Sequence, residues 1–296
     1  MIRPVVSVCI VHWNTPSDLT TCLEALAKNA PVVPIEVLVI DNASAPGSVD
    51  FLATDYPDVR CIHNSSNRGY AAGCNLAASK AVGDIFLFLN PDARVTEGAI
   101  DTLVGLTQDV PFSVAVPRLV WPSGATQQSI TGFPNPTVTL LEMLRLTRWI
   151  PYLDTWKQRL FDYEIAQVCD QPMASCWLIP RAAWEAVGPM DQQFPLYFND
   201  VDWAIRLKET QWRFYYTPSA IVIHDHGGTT QKIGSVAVWE SRRSFALFWK
   251  KHYTRQPLRG LATFLLWVEA CSRTKTIKLG WKGATLKFDT DTIEHV

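Results

Sequence analysis

The sequence predicts an α/β protein with a doubly wound, mostly parallel sheet and a helical C-terminal appendage. In the first third of the chain, short β-branched runs alternate with helical patterns, as expected where crossover helices cover a parallel sheet. The chain has 296 residues, 48% hydrophobic and 19% charged, which suffices for one large folded domain with an addition. The later part of the chain is helical in pattern and basic. We therefore expect an α/β domain at 1–230 and a helical segment at 231–296.

Apolar periodicity places the elements in chain order. Strands are expected at 5–11, 35–40, 59–63, 85–89, 175–179, 212–216 and 220–224. Helices are expected around 17–30, 48–54, 71–81, 139–150, 155–163 and 181–187, and a further helix is expected to start after Asn199. Beyond residue 117 the pattern loosens into Pro- and Gly-containing segments that are typical of loops.

Polar residues follow three of the predicted strands. They stand at 12–14 (His-Trp-Asn), 41–44 (Asp-Asn-Ala-Ser) and 90–92 (Asn-Pro-Asp). Any one of these segments alone is typical of a turn. Because ligands of doubly wound sheets bind outside the carboxyl ends of the strands, three such ends together predict one binding site at that edge.

The corner at Asn90 and Asp92 predicts a site for a diphosphate and its divalent cation. The apolar strand at 85–89 holds both side chains at the sheet edge, and Pro91 stiffens the step between them. Their i, i+2 spacing lets both approach one ion, and a carboxylate with water completes the ligands that such a cation prefers.

Four segments in the same order resemble family two glycosyltransferases of the GT-A fold, and within them the rhamnosyltransferase-like branch. They are VSVCIVHWN at 6–14, VLVIDNAS at 37–44, NRGYAAGCN at 67–75 and FLNPDA at 88–93. Each segment alone is a weak signal, whereas the four in order are a strong one. The resemblance extends over about residues 4–230.

The resemblance implies a set of nucleotide-sugar and metal contacts. Trp13 and Asn14 would lie near the base, Asp41 would bond the pyrimidine, Asn67, Arg68, Gly69 and Asn75 would frame the nucleotide, and Asn90 with Asp92 would form a variant of the motif for Mg²⁺ or Mn²⁺. The family usually has Tyr at the position of Trp13 and more often Asp at that of Asn90. Since one carboxylate is missing, either Asp92 holds the metal with diphosphate and water, or metal dependence is weak.

The segment at 190–207 is expected to carry the catalytic base, because direct displacement at an anomeric carbon needs a group that takes the acceptor's proton. Asn199 is predicted to be the N-cap of a helix, with Asp200 and Asp202 in its first turn, where acids also favour the helix dipole. The family places a Glu-Asp-x-Asp run here, and its base corresponds to Asp200. Asn199 replaces the Glu. Asp202 and Arg206 are predicted to form a structural ion pair in a supporting role.

Two histidines follow the strand at 220–224. His224 and His226 lie on the same face of an extended segment, a spacing that can bind a metal. The resemblance implies that His224 reaches the metal or the diphosphate, and a purely structural role remains the alternative. The glycines and threonines at 227–230 are expected to form a mobile loop over the donor.

Residues 239–283 form a basic segment with ten Lys and Arg against two Glu, although the whole chain has a net charge of -1. No apolar run is long enough for a spanning helix. The amphipathic pattern favours a peripheral contact with anionic lipid, and the resemblance implies a polyprenyl-diphosphate-linked acceptor for many members. The alternative is a helical cover or dimer contact whose basic face is solvated.

The predicted function is inverting transfer of a sugar to a glycan or lipid-linked glycan acceptor, with rhamnose from dTDP-rhamnose or a sugar from a UDP donor. The alternative is a non-catalytic nucleotide-binding protein of the same fold. A dehydrogenase is disfavoured because no GxGxxG follows the first strand, a serine hydrolase because GxSxG is missing, and nothing indicates nucleic-acid binding. Seven cysteines without paired spacing and a start unlike a signal peptide predict a cytoplasmic location, at the inner face of the membrane if the basic segment binds lipid.

Overall fold

The computed structural model describes residues 5–149, 157, 160–225 and 234–274. In these residues a nine-stranded mixed sheet follows the order β3-β2-β1-β4-β10-β6-β11-β5, with β8 added beside β11, and a two-stranded ribbon pairs β7 with β9. The strands are β1 (Val6–His12), β2 (Ile35–Asp41), β3 (Arg60–His63), β4 (Ile85–Leu89), β5 (Ala93–Val95), β6 (Ser113–Val120), β7 (Ile130–Thr131), β8 (Gln167–Cys169), β9 (Gln171–Pro172), β10 (Cys176–Pro180) and β11 (Arg213–His224).

Helices cover both faces of the large sheet. They are α1 (Pro16–Lys28), α2 (Phe51–Asp55), α3 (Tyr70–Lys80), α4 (Ala99–Asp109), α5 (Pro136–Met143), α6 (Arg181–Val187), α7 (Asn199–Lys208), α8 (Gly234–His252) and α9 (Arg259–Thr274), with a 3₁₀ turn over Leu146–Trp149. One core lies between the sheet and α3, α6 and α7, and a second lies between the sheet and α1 and α4. The predicted α/β class is confirmed.

The parallel half of the sheet positions the site. Strands β3, β2, β1 and β4 are all mutually parallel, so their carboxyl ends meet at one edge, as the polar residues after them predict. The fully buried, β-branched character of β1 explains why it lies between two parallel neighbours. Strand β10 then runs antiparallel to both β4 and β6, and β6 is parallel to β11.

Several predicted bounds change. The strands expected at 212–216 and 220–224 are one strand, β11, whose pairing with β6 shifts register between Thr217 and Ile221. The helix expected at 155–163 lies mainly outside the described residues, and 160–163 within it are not helical. Helix α5 starts earlier than expected because the Asn135 side chain caps it by accepting from the amide of Thr137.

Helices α8 and α9 pack onto the segment that leads into α7. Phe194 and Phe198 share a core with Phe248, Trp249 and Leu266 of the two helices. The Trp249 indole also donates to the carbonyl of Pro134, 2.8 Å away. No helix in the described ranges is long and apolar enough to cross a membrane.

Candidate active site

A cavity of about 340 Å³ opens at the carboxyl ends of β1 and β4. Its wall is formed by residues from strand ends, loops and helix starts: Val11, Trp13, Asp18, Asn42, Asn67, Gly69, Tyr70, Asn90, Pro91, Asp92, Met173, Ala174, Ser175, Leu196, Tyr197, Phe198, Asn199, Asp200 and His224. The volume falls in the range of small-ligand sites. The cavity therefore brings the predicted metal corner and the predicted base to one space.

Trp13, which follows β1, lines the cavity. The next residue, Asn14, connects the loop after β1 to the loop after β2. The amide of Asn14 donates to Ser44 Oγ (3.0 Å), and Asn14 Oδ1 accepts from the amide of Ala45 (2.7 Å). Asn14 has a positive φ of 54°, a conformation in which asparagine is enriched. In the structure Asn14 fastens the loop after β2 to the loop after β1, and it is not among the residues that line the cavity.

Asp41 ends β2 and organises the turn beyond it. Its Oδ1 accepts from the amide of Ser44, and its Oδ2 lies 3.1 Å from Nδ1 of His63. Burial acts to raise the pKa of Asp41, but the hydrogen bonds from Ser44 and His63 outweigh burial and lower this pKa. Asp41 is thus a charged anchor beside the cavity, and its contact with a pyrimidine stays a prediction.

Asn42, which sequence reasoning missed, holds the loop predicted to frame the nucleotide. Its Nδ2 donates to Asn67 Oδ1 (2.7 Å) and to the carbonyl of Gly69 (3.2 Å), and its Oδ1 accepts from Asn64 Nδ2 (3.0 Å). Asn67 Oδ1 also accepts from the amide of Gly69. Because Asn42 is buried and its side-chain amide bonds to Asn64, Asn67 and Gly69, the loop has one defined position.

Gly69 lies directly against the segment before α7. Its φ is +83°, and a Cβ at this position would stand 2.4 Å from the carbonyl oxygen of Pro195. The same oxygen accepts from the amide of Tyr70 at 2.7 Å. Glycine is therefore required for both conformation and space where the loop predicted to frame the nucleotide meets the segment predicted to carry the base.

Two other residues predicted to frame the nucleotide face the segment before α7. Asn75 pairs through both ends of its amide with the backbone of Met190, at 2.9 Å each. Arg68 is exposed and donates to Gln192 Oε1 at 3.1 Å. Neither Asn75 nor Arg68 is among the residues that line the cavity in the described part of the chain. Their nucleotide contacts stay predictions.

Residues 90–92 form a corner at the carboxyl end of β4. The amide of Asn90 donates to the carbonyl of Ser175, 2.9 Å away, which ties the corner to the start of β10. The carboxylate of Asp92 faces the imidazole of His224, with 3.4 Å between Oδ1 and Nε2. The two side chains named as metal ligands therefore meet on the cavity wall.

His224 ends β11 and is almost fully buried. Its Nδ1 lies 3.0 Å from Gln127 Oε1, and its Nε2 lies 3.1 Å from Ser175 Oγ. The sequence did not single out Gln127 or Ser175, since Gln127 stands in a polar run at 126–129 and Ser175 is a lone polar residue, and neither is part of a motif. His226 and the glycine loop after it lie outside the described residues.

Asp200 also lines the cavity, from the first turn of α7. Its Oδ2 accepts from Gln171 Nε2 (3.1 Å) and its Oδ1 from the amide of Val201 (2.8 Å). Burial raises the pKa of Asp200, and the hydrogen bonds from Val201, Ala174 and Gln171 oppose this rise without cancelling it. A raised pKa makes this carboxylate a stronger base than an exposed aspartate.

Asp202 and Arg206 form the predicted ion pair, with 3.0 Å between Oδ2 and Nε. Asp202 is completely buried, and its Oδ1 also contacts Lys251 (2.6 Å) and His252 (2.8 Å) of α8. Burial acts to raise the pKa of Asp202, but these cationic and hydrogen-bonding partners lower it. Asp202 therefore joins α7 to α8, and neither Asp202 nor Arg206 is among the residues that line the cavity.

The prediction that Asn199 caps α7 is wrong. The cap position is Phe198, which has a left-handed φ of 68°, and Asn199 is the first residue of the helix. Its side-chain nitrogen, Nδ2, donates to the backbone carbonyls of Phe194 and Leu196, which precede the helix. Phe198 takes the cap position because its ring packs against Phe245 of α8, with centroids 4.4 Å apart.

The sequence matches the model of the family described as Glycosyl transferase family 2 over residues 7–168. The chain belongs to this family. Its resemblance to the rhamnosyltransferase-like branch is confirmed by its similarity to the N-acetylglucosaminyl-diphospho-decaprenol L-rhamnosyltransferase of Mycobacterium tuberculosis, at 26% identity over 276 residues, covering 86% of this chain and 88% of that protein. The low-salt glycan biosynthesis hexosyltransferase Agl10 of Haloferax volcanii is 23% identical over 206 residues, covering 68% of this chain and 61% of that protein.

Solved glycosyltransferase structures share the fold. A crystal structure of GalNAc-T7 with UDP, GalNAc and Mn²⁺ superposes with a TM-score of 0.60 at 14% identity, covering 99% of this chain and 58% of that chain. The mannosyltransferase PcManGT from Pyrobaculum calidifontis, in complex with GDP-Man and Mn²⁺, gives 0.57 at 15% identity, covering 93% and 73%. The GT-A fold is confirmed, and the family 2 protein described here is a glycosyltransferase.

The donor set in this family 2 glycosyltransferase fits a cation that is shared with a substrate diphosphate. Within the described ranges, no three His, Cys, Asp or Glu side chains are grouped to hold an ion by themselves. Asp92 and His224 supply one oxygen and one nitrogen on the wall of an open cavity. Since Mg²⁺ and Mn²⁺ sites of this kind take their remaining ligands from phosphate and water, two protein ligands are sufficient.

Proposed function

We propose that this protein is an inverting hexosyltransferase that transfers a sugar from a dTDP- or UDP-linked donor to a glycan or lipid-linked glycan acceptor. The observation that carries the proposal is that Asp200, with its raised pKa, and the Asp92–His224 pair line the same cavity. Rhamnose from dTDP-rhamnose is the favoured donor, because the resemblance is to a rhamnosyltransferase.

In the proposed mechanism, each wall of the cavity has one task. Trp13 and Asn67 bind the nucleoside, Asn42 holds the loop that carries Asn67, and Asn90 with Asp92 orients the diphosphate. Asp200 accepts the proton of the attacking hydroxyl as the new glycosidic bond forms and the nucleoside diphosphate leaves from the opposite face, which inverts the anomeric centre. A bound divalent cation would neutralise the charge that develops on the leaving diphosphate.

Asp92 and His224 are the proposed holders of that cation, and Mn²⁺ is the expected preference over Mg²⁺. A neutral imidazole nitrogen in the donor set favours Mn²⁺, which stands higher in affinity for nitrogen ligands than the strictly oxygen-seeking Mg²⁺. Asn90 contributes no charge, so one carboxylate remains at the corner.

A membrane contact through α9 is the second part of the proposal. On its buried face this helix has the small residues Ala262 and Ala270, whereas Leu261, Phe264 and Val268 are 51%, 56% and 40% exposed. Large apolar side chains at i, i+3 and i+7 form one outward stripe. Such a stripe within a basic segment fits the surface of an anionic bilayer and would bring the cavity to a lipid-linked acceptor.

We place this reaction on the cytoplasmic side. All seven cysteines are free thiols in the structure, which agrees with a reducing compartment.

The basic charge of α8 and α9 is partly used internally, because Arg242 and Arg273 both pair with Glu269 and Lys251 pairs with Asp202. The proposed lipid contact therefore depends on the apolar stripe as well as on charge.

The experiment that tests the donor site is a thermal-shift comparison of dTDP, UDP and GDP, each with Mn²⁺ and with EDTA. A nucleotide that binds the folded state raises its melting temperature by mass action. We expect dTDP or UDP to raise it more than GDP, and more with Mn²⁺ than with EDTA. A full rate of sugar transfer in EDTA would remove the metal from the mechanism, and no stabilisation by any of the three nucleotides would contradict the donor assignment.

A further inference from the structure

His224 is held from three sides by polar atoms that lie inside the protein. Gln127 and Ser175 are 3% and 1% exposed, so water does not compete strongly for these contacts. Gln127 makes two bonds to the same residue: its Nε2 lies 2.6 Å from the His224 carbonyl oxygen, and its Oε1 lies 3.0 Å from the ring Nδ1. The third contact is Ser175 Oγ on Nε2.

The backbone carbonyl determines which way the Gln127 amide is turned. A carbonyl oxygen can only accept, so the atom that faces it must be the NH₂ group. The other end of the amide, Oε1, is then the atom beside Nδ1. Since Oε1 can also only accept, Nδ1 must be the nitrogen that bears the hydrogen.

This assignment leaves the lone pair of the neutral ring on Nε2. Nε2 stands 3.1 Å from the Ser175 hydroxyl, which is able to donate to it, and 3.4 Å from Asp92 Oδ1. A ring nitrogen lone pair and a carboxylate oxygen are both acceptors. Two acceptors that face each other on the wall of a cavity form a place for a cation.

We propose that Gln127 is a positioning residue that holds His224 in the Nδ1–H tautomer and so presents Nε2, beside Asp92, to a divalent cation. Ser175 keeps Nε2 in place before the cation arrives. The inference rests on the proposed function, because the cation is the one that would be shared with the donor diphosphate. Ligand histidines commonly have such a partner on their second nitrogen, and its loss typically weakens metal binding about 10- to 100-fold.

The tautomer can be read directly by nitrogen-15 NMR of the wild-type protein in EDTA at pH 8.5. The His224 signal is assigned from its disappearance in His224→Gln. We expect hydrogen on Nδ1 and none on Nε2. Hydrogen on Nε2, in either a neutral or a doubly protonated ring, would overturn the inference without any reference to enzyme activity.

The affinity for Mn²⁺ tests the consequence of the tautomer. Mn²⁺ is titrated in the presence of dTDP and, in parallel, UDP, and the free ion is measured by electron paramagnetic resonance. Gln127→Met keeps the size of the side chain but removes both hydrogen bonds, and we expect it to weaken Mn²⁺ binding about tenfold or more. Gln127→Glu retains an acceptor for Nδ1–H but loses the donor to the His224 carbonyl, so its affinity should lie between those of Gln127→Met and the wild type.

A double-mutant cycle separates positioning from general damage. In a His224→Ala background, Gln127→Met should have no further effect on Mn²⁺ affinity, because the ring through which it acts is absent. The matched control is Gln167→Met on β8, whose amide bonds to the carbonyl of Asp162 in another region of the sheet. It should bind Mn²⁺ like the wild type.

Two results of the Mn²⁺ titration would also overturn the inference, and they leave distinct conclusions. If Gln127→Met bound Mn²⁺ as tightly as the wild type, the positioning role would be excluded while the metal site remained. If the wild type bound no Mn²⁺ with either nucleotide yet transferred sugar in EDTA, the inference would fail and the transferase proposal would stand.

Discussion

Gln171 donates a hydrogen bond to Asp200, with 3.1 Å between Nε2 and Oδ2. The hydroxyl of Thr131 contacts Oε1 of the same amide, so the nitrogen is the end that faces the carboxylate. Gln171 belongs to β9, which packs against α7. The ribbon of β7 and β9 thus sets both the position and the basicity of the proposed base.

Asp200→Asn should lower kcat of sugar transfer by about 10²- to 10⁴-fold, because an amide cannot accept the acceptor's proton. Nucleotide binding, measured by thermal shift, should stay at the wild-type value, since the amide occupies the same volume. Asp170→Asn is the matched control, because Asp170 pairs with Lys208 outside the cavity. Unchanged transfer by Asp200→Asn would exclude Asp200 as the base.

Gln171→Met should move the acidic limb of the kcat/KM profile to higher pH. The Gln171 hydrogen bond lowers the pKa of Asp200, against the larger rise caused by burial. Without this bond the pKa rises further, and the ionised base appears only at higher pH. The profile is measured in parallel for Gln167→Met, which should superpose on the wild type. A shift of the limb to lower pH would show that Gln171 does not stabilise the carboxylate.

Gly69→Ala should lower the free energy of unfolding and raise the KM for the donor more than Gly124→Ala does. Gly69 and Gly124 both have a φ of +83°, but nothing lies within 4 Å of a Cβ at Gly124, whereas Pro195 O lies 2.4 Å from a Cβ at Gly69. Both alanines have the left-handed strain of about 1–2 kcal/mol, and Gly69→Ala adds an overpacking cost of about 1–3 kcal/mol. Urea unfolding and the KM for the donor distinguish them, and equal values for the two variants would contradict the close approach.

Glu240→Gln should stabilise the protein at neutral and alkaline pH. Glu240 of α8 is fully buried, and its Oε2 lies 3.5 Å from Arg243 Nε without a hydrogen bond. Burial raises the pKa of Glu240 to about 7 from 4.5, although Arg243 opposes the rise. A raised carboxyl pKa gives stability that is present below pH 4.5 and lost as the pH rises through 7, so the gain from Gln should grow over that range to about 3 kcal/mol.

The measurement for Glu240→Gln is urea unfolding at a series of pH values. Glu185→Gln, which removes an exposed carboxylate from α6, supplies the effect of losing one negative charge, and this effect is subtracted. If the gain in unfolding free energy of Glu240→Gln over the wild type became smaller as the pH rises, the trend would be opposite to the one expected. That result would mean that the Glu240 carboxylate is stabilised in its ionised form.

Replacement of Leu261, Phe264 and Val268 together by Ser should abolish sedimentation with vesicles that contain anionic lipid. These side chains form the outward stripe of α9, so their loss removes apolar area that would enter the bilayer while the buried face is kept. Val32→Ser is the control, because Val32 is 92% exposed at another part of the surface. Absence of wild-type binding at low salt would exclude the lipid contact and favour a helical cover or dimer contact.

Strands β1, β2 and β4 were predictable because each is a short, mainly apolar run between helical patterns, and the bounds of β1 and β2 moved by only one residue. The corner at 90–92 was predictable for the same reason, since a buried strand must expose its end. The i, i+4 pair of Asp202 and Arg206 is also local in sequence.

Contacts between distant positions were not predictable. Gln127 meets His224 across 97 residues, and Ser175 meets it across 49. Gln127 is one of several polar residues at 126–129 and Ser175 stands among apolar residues, so no periodicity or motif marks either. Asn199 was wrongly predicted to be the N-cap because the packing of Phe198 against α8 sets the start of α7. Capping preferences depend on local sequence and contain no information about that tertiary contact.

The core that Phe194 and Phe198 share with α8 and α9 has a consequence for enzymes built from parts of this one. The two rings lie in the segment that leads into Asp200, so the segment before the proposed base packs with α8 and α9 as one piece. A chimera intended to change the acceptor should exchange residues 190–274 together. A junction inside that stretch would pair phenylalanines from one parent with a groove shaped for the other, and the proposed base would shift with them.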